Sequence, residues 1–123
     1  MFQVEYDART NLLTLTVAGF WQPDDVAAFA ASVGAKVQEV IAIRTDFDVI
    51  VESLGFPVQA IDVADLLINI MRGGMAQTSG HAAIVVGSHL NKAQAERTLV
   101  HPRVRVFLAV ADAKRWLVEV ARV

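Results

Sequence analysis

The sequence predicts an α/β domain built on a mixed, mostly parallel sheet that begins with a β-hairpin. Three observations lead to this fold class. Segments of strand periodicity alternate with segments of helical periodicity, segment 82–86 is apolar throughout, and glycine or proline separates most segments. Strands that alternate with helices need crossover connections, so the later strands should be parallel, with helices covering the sheet. We expect residues 1–123 to form one domain with the element order ββαβαβαβα.

The first half of the chain predicts a hairpin, a long helix and a buried strand. Segment 2–6 and the strictly alternating segment 13–17 flank a cluster of turn-forming residues, which is typical of a β-hairpin. A helix should begin at Pro23, since proline suits a first helical turn and two carboxylates follow it. Apolar positions spaced along 26–41 form one stripe that suits a sheet-covering helix. Residues 47–54 then predict a buried strand that ends at a turn.

The second half predicts three more helices and two more strands. In chain order they are a helix at 61–72, a buried strand at 81–86, a short polar helix after Gly87-Ser88, a strand at 103–110 and a closing helix. Gly73-Gly74 should end the first of these helices or act as a hinge. The Ser88 hydroxyl should cap the second helix, and Asp112 should cap the third.

Composition and charge exclude several classes of protein. Apolar residues make up 54% of the chain and charged residues 20%, which excludes a disordered chain. No apolar run approaches the roughly 20 residues of a membrane span, and the N-terminal residues do not have the pattern of a signal peptide, so we expect a cytoplasmic protein. The absence of cysteine excludes disulfides and thiolate chemistry. A net charge of −2, from 13 acidic and 11 basic residues, disfavours nucleic acid as a partner.

Several short motifs together resemble a known family. They are Gly19-Phe20-Trp21 leading into Pro23-Asp24-Asp25, the strand and turn over 47–57, Arg105-Val106-Phe107, Ala113 and Trp116-Leu117. With the N-terminal hairpin, these features make the chain similar to a STAS domain, and more particularly to stand-alone SpoIIAA-like proteins. The resemblance covers nearly the whole chain and implies the SpoIIAA-like fold. It supports a fold more than a function, because one fold carries many activities.

The resemblance also implies a test for phosphorylation. STAS antagonists of anti-sigma factors carry a phosphorylatable serine in an Asp-Ser pair where the central helix begins. The corresponding stretch here, 56–62, contains no serine or threonine. This departure predicts that the protein does not switch partners by serine phosphorylation. Ser53 lies upstream as an alternative acceptor, and a structural serine at the end of a strand is the simpler interpretation.

Neither the histidines nor the carboxylates predict a catalytic or metal site. His81, His89 and His101 have no second histidine at metal-ligand spacing, so we expect no metal and no cofactor. Asp62 and Asp65 lie three residues apart on the polar face of the predicted helix. Glu52 stands within an apolar strand, where a buried carboxylate would need a partner. These carboxylates do not specify a reaction, and we assign no catalytic residue.

The predicted helix at 61–72 carries two apolar faces. Beside its main face, Ile61, Ile68 and Met75 form a line about 100° away around the helix. With Phe56 and Pro57 of the preceding turn, these residues predict a site for an apolar small molecule, a protein partner or a peripheral membrane surface. The alternatives are packing against a neighbouring helix and a homodimer interface on the same stripe.

A rival site lies where the apolar strand at 81–86 ends. Ser88 and His89 follow this strand at the edge where open α/β sheets bind ligands, and the first amides of the next helix could hold an anion. Simple helix capping by Ser88 is the alternative. Together with Glu52, these residues support a rival interpretation of the chain as a small enzyme or a phosphate- or nucleotide-binding domain.

Overall fold

A computed structural model describes residues 1–121. Over that range the chain forms five strands and four helices in the predicted order. The strands are β1 (Phe2–Asp7), β2 (Leu12–Ala18), β3 (Asp48–Gly55), β4 (Ala82–Val86) and β5 (Val104–Phe107). The helices are α1 (Pro23–Ile41), α2 (Ile61–Ala76), α3 (His89–Thr98) and α4 (Val110–Val120). None of these helices is long and apolar enough to cross a bilayer.

The five strands form one sheet in the order β1-β2-β3-β4-β5. Strand β1 is antiparallel to β2, and β2, β3, β4 and β5 are parallel to one another, as the hairpin and the alternating helices predicted. Leu15 of β2 is opposite Val51 of β3, which is opposite Ile84 of β4. Every residue of β4 is buried, because β4 lies between two strands and is covered on both faces.

Alternate residues along the strands give the sheet two faces. We call the face that carries Leu15, Val49, Val51 and Ile84 the front face; helices α1, α2 and α3 cover it. We call the face that carries Ile50 and its neighbours the back face, where α4 packs. The residues that meet on the back face are Ile50, Ala83, Val85, Ala113 and Leu117. The two faces differ in how completely they are filled.

Helix α1 holds the front of the sheet together. It begins at Pro23 as predicted, and the backbone N–H of Gln22 donates to the Asp25 carboxylate at 2.8 Å. Its buried residues form the predicted stripe: Val26, Phe29, Val33, Val37 and Val40. The buried Trp21 packs edge-to-face on Phe29, with ring centroids 5.2 Å apart, and its indole N–H donates to the Ala18 carbonyl at 2.9 Å.

The boundaries that differ most from the sequence-based predictions are the end of α2, the end of β5 and the start of α4. Helix α2 does not end at Gly73-Gly74; it continues through both glycines to Ala76, because the buried Met75 anchors its last turn. Tertiary packing here outweighs the low helix propensity of glycine. Strand β5 is shorter than predicted, and α4 begins at Val110. Asp112 therefore lies in the first turn of α4 and pairs with Arg115 at 3.2 Å, while Ala109 occupies the N-cap position.

Candidate functional site

A cavity of about 240 Å³ lies between the front face and the three helices that cover it. Its floor includes Val49 and Val51, which are only half-buried although β3 is the middle strand of the sheet. Protein interiors are close-packed and seldom contain voids much larger than a water molecule. This space also opens to the surface, and a concave apolar space over the centre of a sheet is a candidate ligand site.

The position of helix α2 explains why the cavity exists. Helix α2 packs mainly on α1, and its two buried residues, Val63 and Met75, lie near its two ends. Between them, Leu67, Ile68 and Met71 are half-buried and line the cavity. The middle of the helix thus forms an apolar roof that does not fill the space above the sheet.

The loop before α2 is held to the loop before α1 by Gln59. The Gln59 side-chain oxygen accepts a hydrogen bond from the Trp21 backbone N–H at 2.7 Å, and its amide donates to the carbonyls of Gly19 at 3.1 Å and Pro57 at 2.8 Å. Phe56 packs edge-to-face on Trp21 with centroids 5.0 Å apart. Gln59 therefore fixes the position of one end of the cavity, a role that sequence periodicity did not indicate.

Helix α3 supplies the polar wall of the cavity. Asn91 and Gln94 are half-buried lining residues, and Thr98 lines the cavity where it reaches the surface. The helix begins as predicted, since the Ser88 hydroxyl oxygen accepts a hydrogen bond from the Asn91 backbone N–H at 3.1 Å. The sequence indicated that α3 is polar, but its pattern did not predict that Asn91 and Gln94 face the cavity. The missing apolar stripe of α3 was the signal that could have revealed them.

Ser53 lies on the floor of the cavity rather than at the surface. Its side chain is 6% exposed as a residue, and its hydroxyl donates to the Val85 carbonyl at 2.5 Å. A kinase could reach this hydroxyl only after the sheet and helices had separated locally. The structure therefore favours the interpretation of Ser53 as a structural serine over that of a phosphate acceptor.

Four of the five residues predicted for an apolar site come together at the cavity. Phe56, Pro57, Ile68 and Met75 all line it, and Met75 is 3% exposed. Ile61 does not join them, because it is 82% exposed at the first position of α2. Of the predicted stripe, Ile68 and Met75 therefore line the cavity, and Ile61 lies at the surface.

The rival residues do not share this cavity. Glu52 belongs to the back-face set of β3, and its carboxylate accepts a hydrogen bond from the Leu54 backbone N–H at 3.1 Å. Ser88 caps α3, and His89 is exposed beside it. Asp62 and Asp65 are exposed on α2, as their helical spacing predicted.

The remaining histidines have local structural contacts. The His81 ring packs edge-to-face on Trp116 at a centroid distance of 5.6 Å. The Nδ1 atom of His101 accepts a hydrogen bond from the Arg103 backbone N–H at 3.0 Å. Throughout residues 1–121, no three histidine or acidic side chains are grouped so that they could hold a metal ion.

Charged groups with shifted pKa values lie at the amino ends of the parallel strands. Partial burial raises the pKa of the Asp48 carboxyl, although this group accepts a hydrogen bond from the His81 backbone N–H at 2.9 Å. Nearby, the hydrogen bonds from the Arg44 guanidinium lower the pKa of the Asp46 carboxyl. These groups flank the start of β3 and do not line the cavity, although the neighbouring Phe47 does.

Comparison with known proteins identifies the fold. No family model matches the chain, and no curated protein matches its sequence. A solved structure does match: an uncharacterised protein of the DUF3478 family from Shewanella loihica PV-4, which has a SpoIIAA-like fold. The match has a TM-score of 0.64 and 14% sequence identity, and it covers 95% of this chain and 92% of the other.

This match confirms the predicted fold and gives no information about function. The chain has a SpoIIAA-like fold, with one antiparallel strand pair, parallel pairing through the rest of the sheet, and four helices. At 14% identity the likeness concerns the fold alone. The function has to be argued from the cavity and the surfaces around it.

Proposed function

We propose that this protein binds an apolar small molecule in the cavity between its front face and helices α1, α2 and α3. The observation that carries the proposal is the cavity itself: about 240 Å³ of space lined mainly by aliphatic and aromatic side chains. Ligand sites in proteins are typically concave, mostly apolar and formed before the ligand binds. The half-buried Val49 and Val51 would be removed from water by such a ligand.

The size of the cavity suggests the size of the ligand. An apolar cavity of about 150 Å³ holds benzene. The larger volume here suits a bicyclic ring system or a compact branched chain of similar bulk, and the opening to the surface leaves room for one further ring. Three lining residues are exposed, and they mark where the cavity reaches the surface: Pro57, Val58 and Thr98.

The chemistry of the lining favours binding over catalysis. Every residue of 1–121 that lines the cavity is uncharged, so the lining provides apolar contacts and neutral hydrogen-bonding groups. General acid–base catalysis uses a positioned titratable side chain at the reacting atoms. We therefore propose a non-enzymatic binding or regulatory role, in preference to a small enzyme or a phosphate-binding domain centred on Glu52, Ser88 and His89.

Filling the cavity tests this proposal. Ala64 is a half-buried cavity residue of α2, and Ala64→Leu places a larger side chain in the ligand space. We expect wild-type protein to bind the neutral probe N-phenyl-1-naphthylamine with a rise in fluorescence, and Ala64→Leu to lose most of that signal. Ala111→Leu makes the same change at an exposed position of α4 and should bind like the wild type. Equal binding by both variants would rule out this cavity as the probe site.

A second candidate function is the docking of a protein partner at the carboxyl end of the parallel strands. Among residues 1–121, seven of the eleven exposed large apolar residues lie at this end: Met1, Phe20, Leu54, Val58, Ile61, Leu90 and Leu108. Clusters of exposed apolar residues are typical of interaction sites, and these seven share one end of the sheet. Acidic residues in the first turns of α1, α2 and α4 surround it, which favours a partner with basic groups over an anionic membrane.

Photo-crosslinking in cells tests this second function. A photoreactive residue replaces Ile61 in one variant and Ile43 in a matched control, since Ile43 is 76% exposed in the loop after α1, outside the proposed docking end. We expect a discrete crosslinked protein from position 61 and none from position 43. A crosslink to a second copy of this chain would show that the partner is another copy and that the complex is a homodimer. The same diffuse labelling from both positions would contradict a docking site at the carboxyl end.

A further inference from the structure

Helix α3 packs the buried Ala95 against the sheet, but beside it the helix turns polar side chains toward the cavity, unlike an ordinary sheet-covering helix. Such a helix directs apolar side chains at the sheet and polar side chains at solvent. In α3, Leu90 is 65% exposed, whereas Asn91 and Gln94 are half-buried against the cavity. Departures from local rules that lack a structural benefit are expected at functional sites.

These polar residues give the cavity one hydrogen-bonding wall. Asn91, Gln94 and Thr98 are three and four residues apart, so they form a row along one side of α3. The wall that α2 supplies is apolar and includes Leu67 and Ile68. A ligand in the cavity therefore meets hydrocarbon on one side and neutral polar groups on another.

The polar wall carries hydrogen-bonding capacity without charge. A primary amide such as that of Asn91 or Gln94 offers both N–H donors and a carbonyl acceptor. It pairs equally well with a hydroxyl, a ketone or an amide on a ligand. An ionised carboxylate or ammonium group would instead lose its hydration without gaining an opposite charge, because the lining residues of 1–121 are neutral.

We infer that the ligand is an uncharged amphiphile: a compact hydrocarbon skeleton with one hydroxyl, ketone or amide group that faces Asn91 and Gln94. This inference rests on the proposed ligand-binding function and adds the chemical class of the ligand. It predicts discrimination between molecules of one skeleton that differ only in their polar group.

Three compounds with the same bicyclic skeleton test the inference: naphthalene, 2-naphthol and 2-naphthoate. At pH 7 the first is apolar, the second is neutral with one hydroxyl, and the third is a carboxylate. Their affinities follow from displacement of N-phenyl-1-naphthylamine. We expect 2-naphthol to bind about fivefold more tightly than naphthalene, as one added neutral hydrogen bond would produce. We expect 2-naphthoate to bind at least about tenfold more weakly than 2-naphthol.

A double variant assigns this preference to α3. Asn91→Leu with Gln94→Leu keeps similar side-chain volume and removes both amides, and it leaves the Ser88 cap intact because that bond uses the Asn91 backbone N–H. We expect this variant to bind naphthalene more tightly than 2-naphthol. Asn69→Leu makes the same kind of change at an exposed position of α2 and should keep the wild-type order. Circular dichroism confirms that each variant is folded before it is titrated.

The outcomes separate this inference from the proposal on which it rests. Tighter binding of naphthalene than of 2-naphthol by the wild type would overturn the inference and leave apolar-ligand binding standing. The tightest binding by 2-naphthoate would also overturn it. Failure of the wild type to bind both the probe and all three compounds would contradict the ligand-binding proposal itself, and this inference with it.

Discussion

The front and back faces of the sheet show two ways in which a helix can cover strands. On the back face, Ala83 and Ala113 are fully buried, and their small side chains allow α4 to approach the sheet closely. On the front face, α2 rests mainly on α1, and Val49 and Val51 beneath it remain half-buried. The comparison indicates that α4 packs closely on the back face, as α1 does on part of the front face, whereas α2 leaves a space above the front face that a ligand can fill.

Truncating one leucine on each face should give the largest difference. Leu117 of α4 is 4% exposed, so Leu117→Ala should leave a cavity and cost about 3 kcal/mol of unfolding free energy. Leu67 of α2 is half-buried beside space that already exists, so Leu67→Ala should cost about 1 kcal/mol. Urea denaturation measures both values.

Ligand affinity should respond in the opposite order. Leu117→Ala should leave the affinity for N-phenyl-1-naphthylamine unchanged under conditions where the variant is folded. Leu67→Ala should alter that affinity, since Leu67 lines the cavity. Equal losses of stability and equal affinities for the two variants would contradict the distinction between close packing by α4 and the open space beneath α2.

The hydrogen bonds of Gln59, which join the loops before α1 and α2, provide a second test at the front face. Gln59→Ala removes three hydrogen bonds and leaves the Trp21 backbone N–H without its partner, which should cost about 1–2 kcal/mol. Because this loop borders the cavity, we also expect faster release of the bound probe in stopped-flow measurements. Gln38→Ala makes the same change on the exposed surface of α1 and should alter neither quantity. Slower or unchanged release in Gln59→Ala would show that the loop does not control access to the cavity.

The element order was predictable because it depends on local patterns. Strict alternation over 13–17, the apolar run at 82–86 and the Ser88 cap are properties of a few neighbouring residues, and the structure confirms all three elements. The boundary at Gly73-Gly74 was wrong because the burial of Met75, a tertiary contact, decides where α2 ends. Local propensity is a weak guide where packing opposes it.

The cavity itself could not be predicted from periodicity. Ile61 and Ile68 belong to one stripe in the sequence, yet the first is at the surface and the second lines the cavity. Which of them is covered depends on how far α2 lies from the sheet, and that distance is set by its packing on α1. For the same reason, the polar character of α3 was visible in the sequence, but the inward direction of Asn91 and Gln94 was not.

The glycines of α2 provide a smaller and stabilising test. An added Cβ at Gly73 or Gly74 would meet no atom within 4 Å, so alanine at either position should stabilise the helix by up to about 1 kcal/mol. Only Gly74 lines the cavity, so only Gly74→Ala should also weaken probe binding. Gly87→Ala is the contrasting control, because its Cβ would lie 2.7 Å from the Leu54 carbonyl oxygen, and it should destabilise the protein. A destabilised Gly73→Ala would show instead that α2 needs a flexible residue there.

The smallest expected effect comes from Asp48, at the amino end of the sheet and outside the cavity. Burial raises the pKa of this carboxyl in the folded state, so the folded protein holds the proton more tightly than the unfolded chain does. The stability that Asp48 contributes is therefore greatest at low pH and is lost as the pH rises through the folded-state pKa. Asp48→Asn keeps an oxygen that accepts the His81 N–H and removes the charge.

This substitution should separate stability from binding. We expect Asp48→Asn to raise Tm at pH 7 by about 1–2 °C, with allowance for solvent screening of a half-buried group, and to bring no gain near pH 3. Asp65→Asn removes the same charge from the exposed surface of α2 and should show no such pH dependence. Probe affinity should stay constant in both variants, because neither residue lines the cavity. A gain in Tm that is equal at both pH values would show that the effect does not come from the carboxylate charge, because Asp48 is protonated near pH 3. A change in probe affinity in Asp48→Asn would show that the start of β3 is coupled to the front-face cavity.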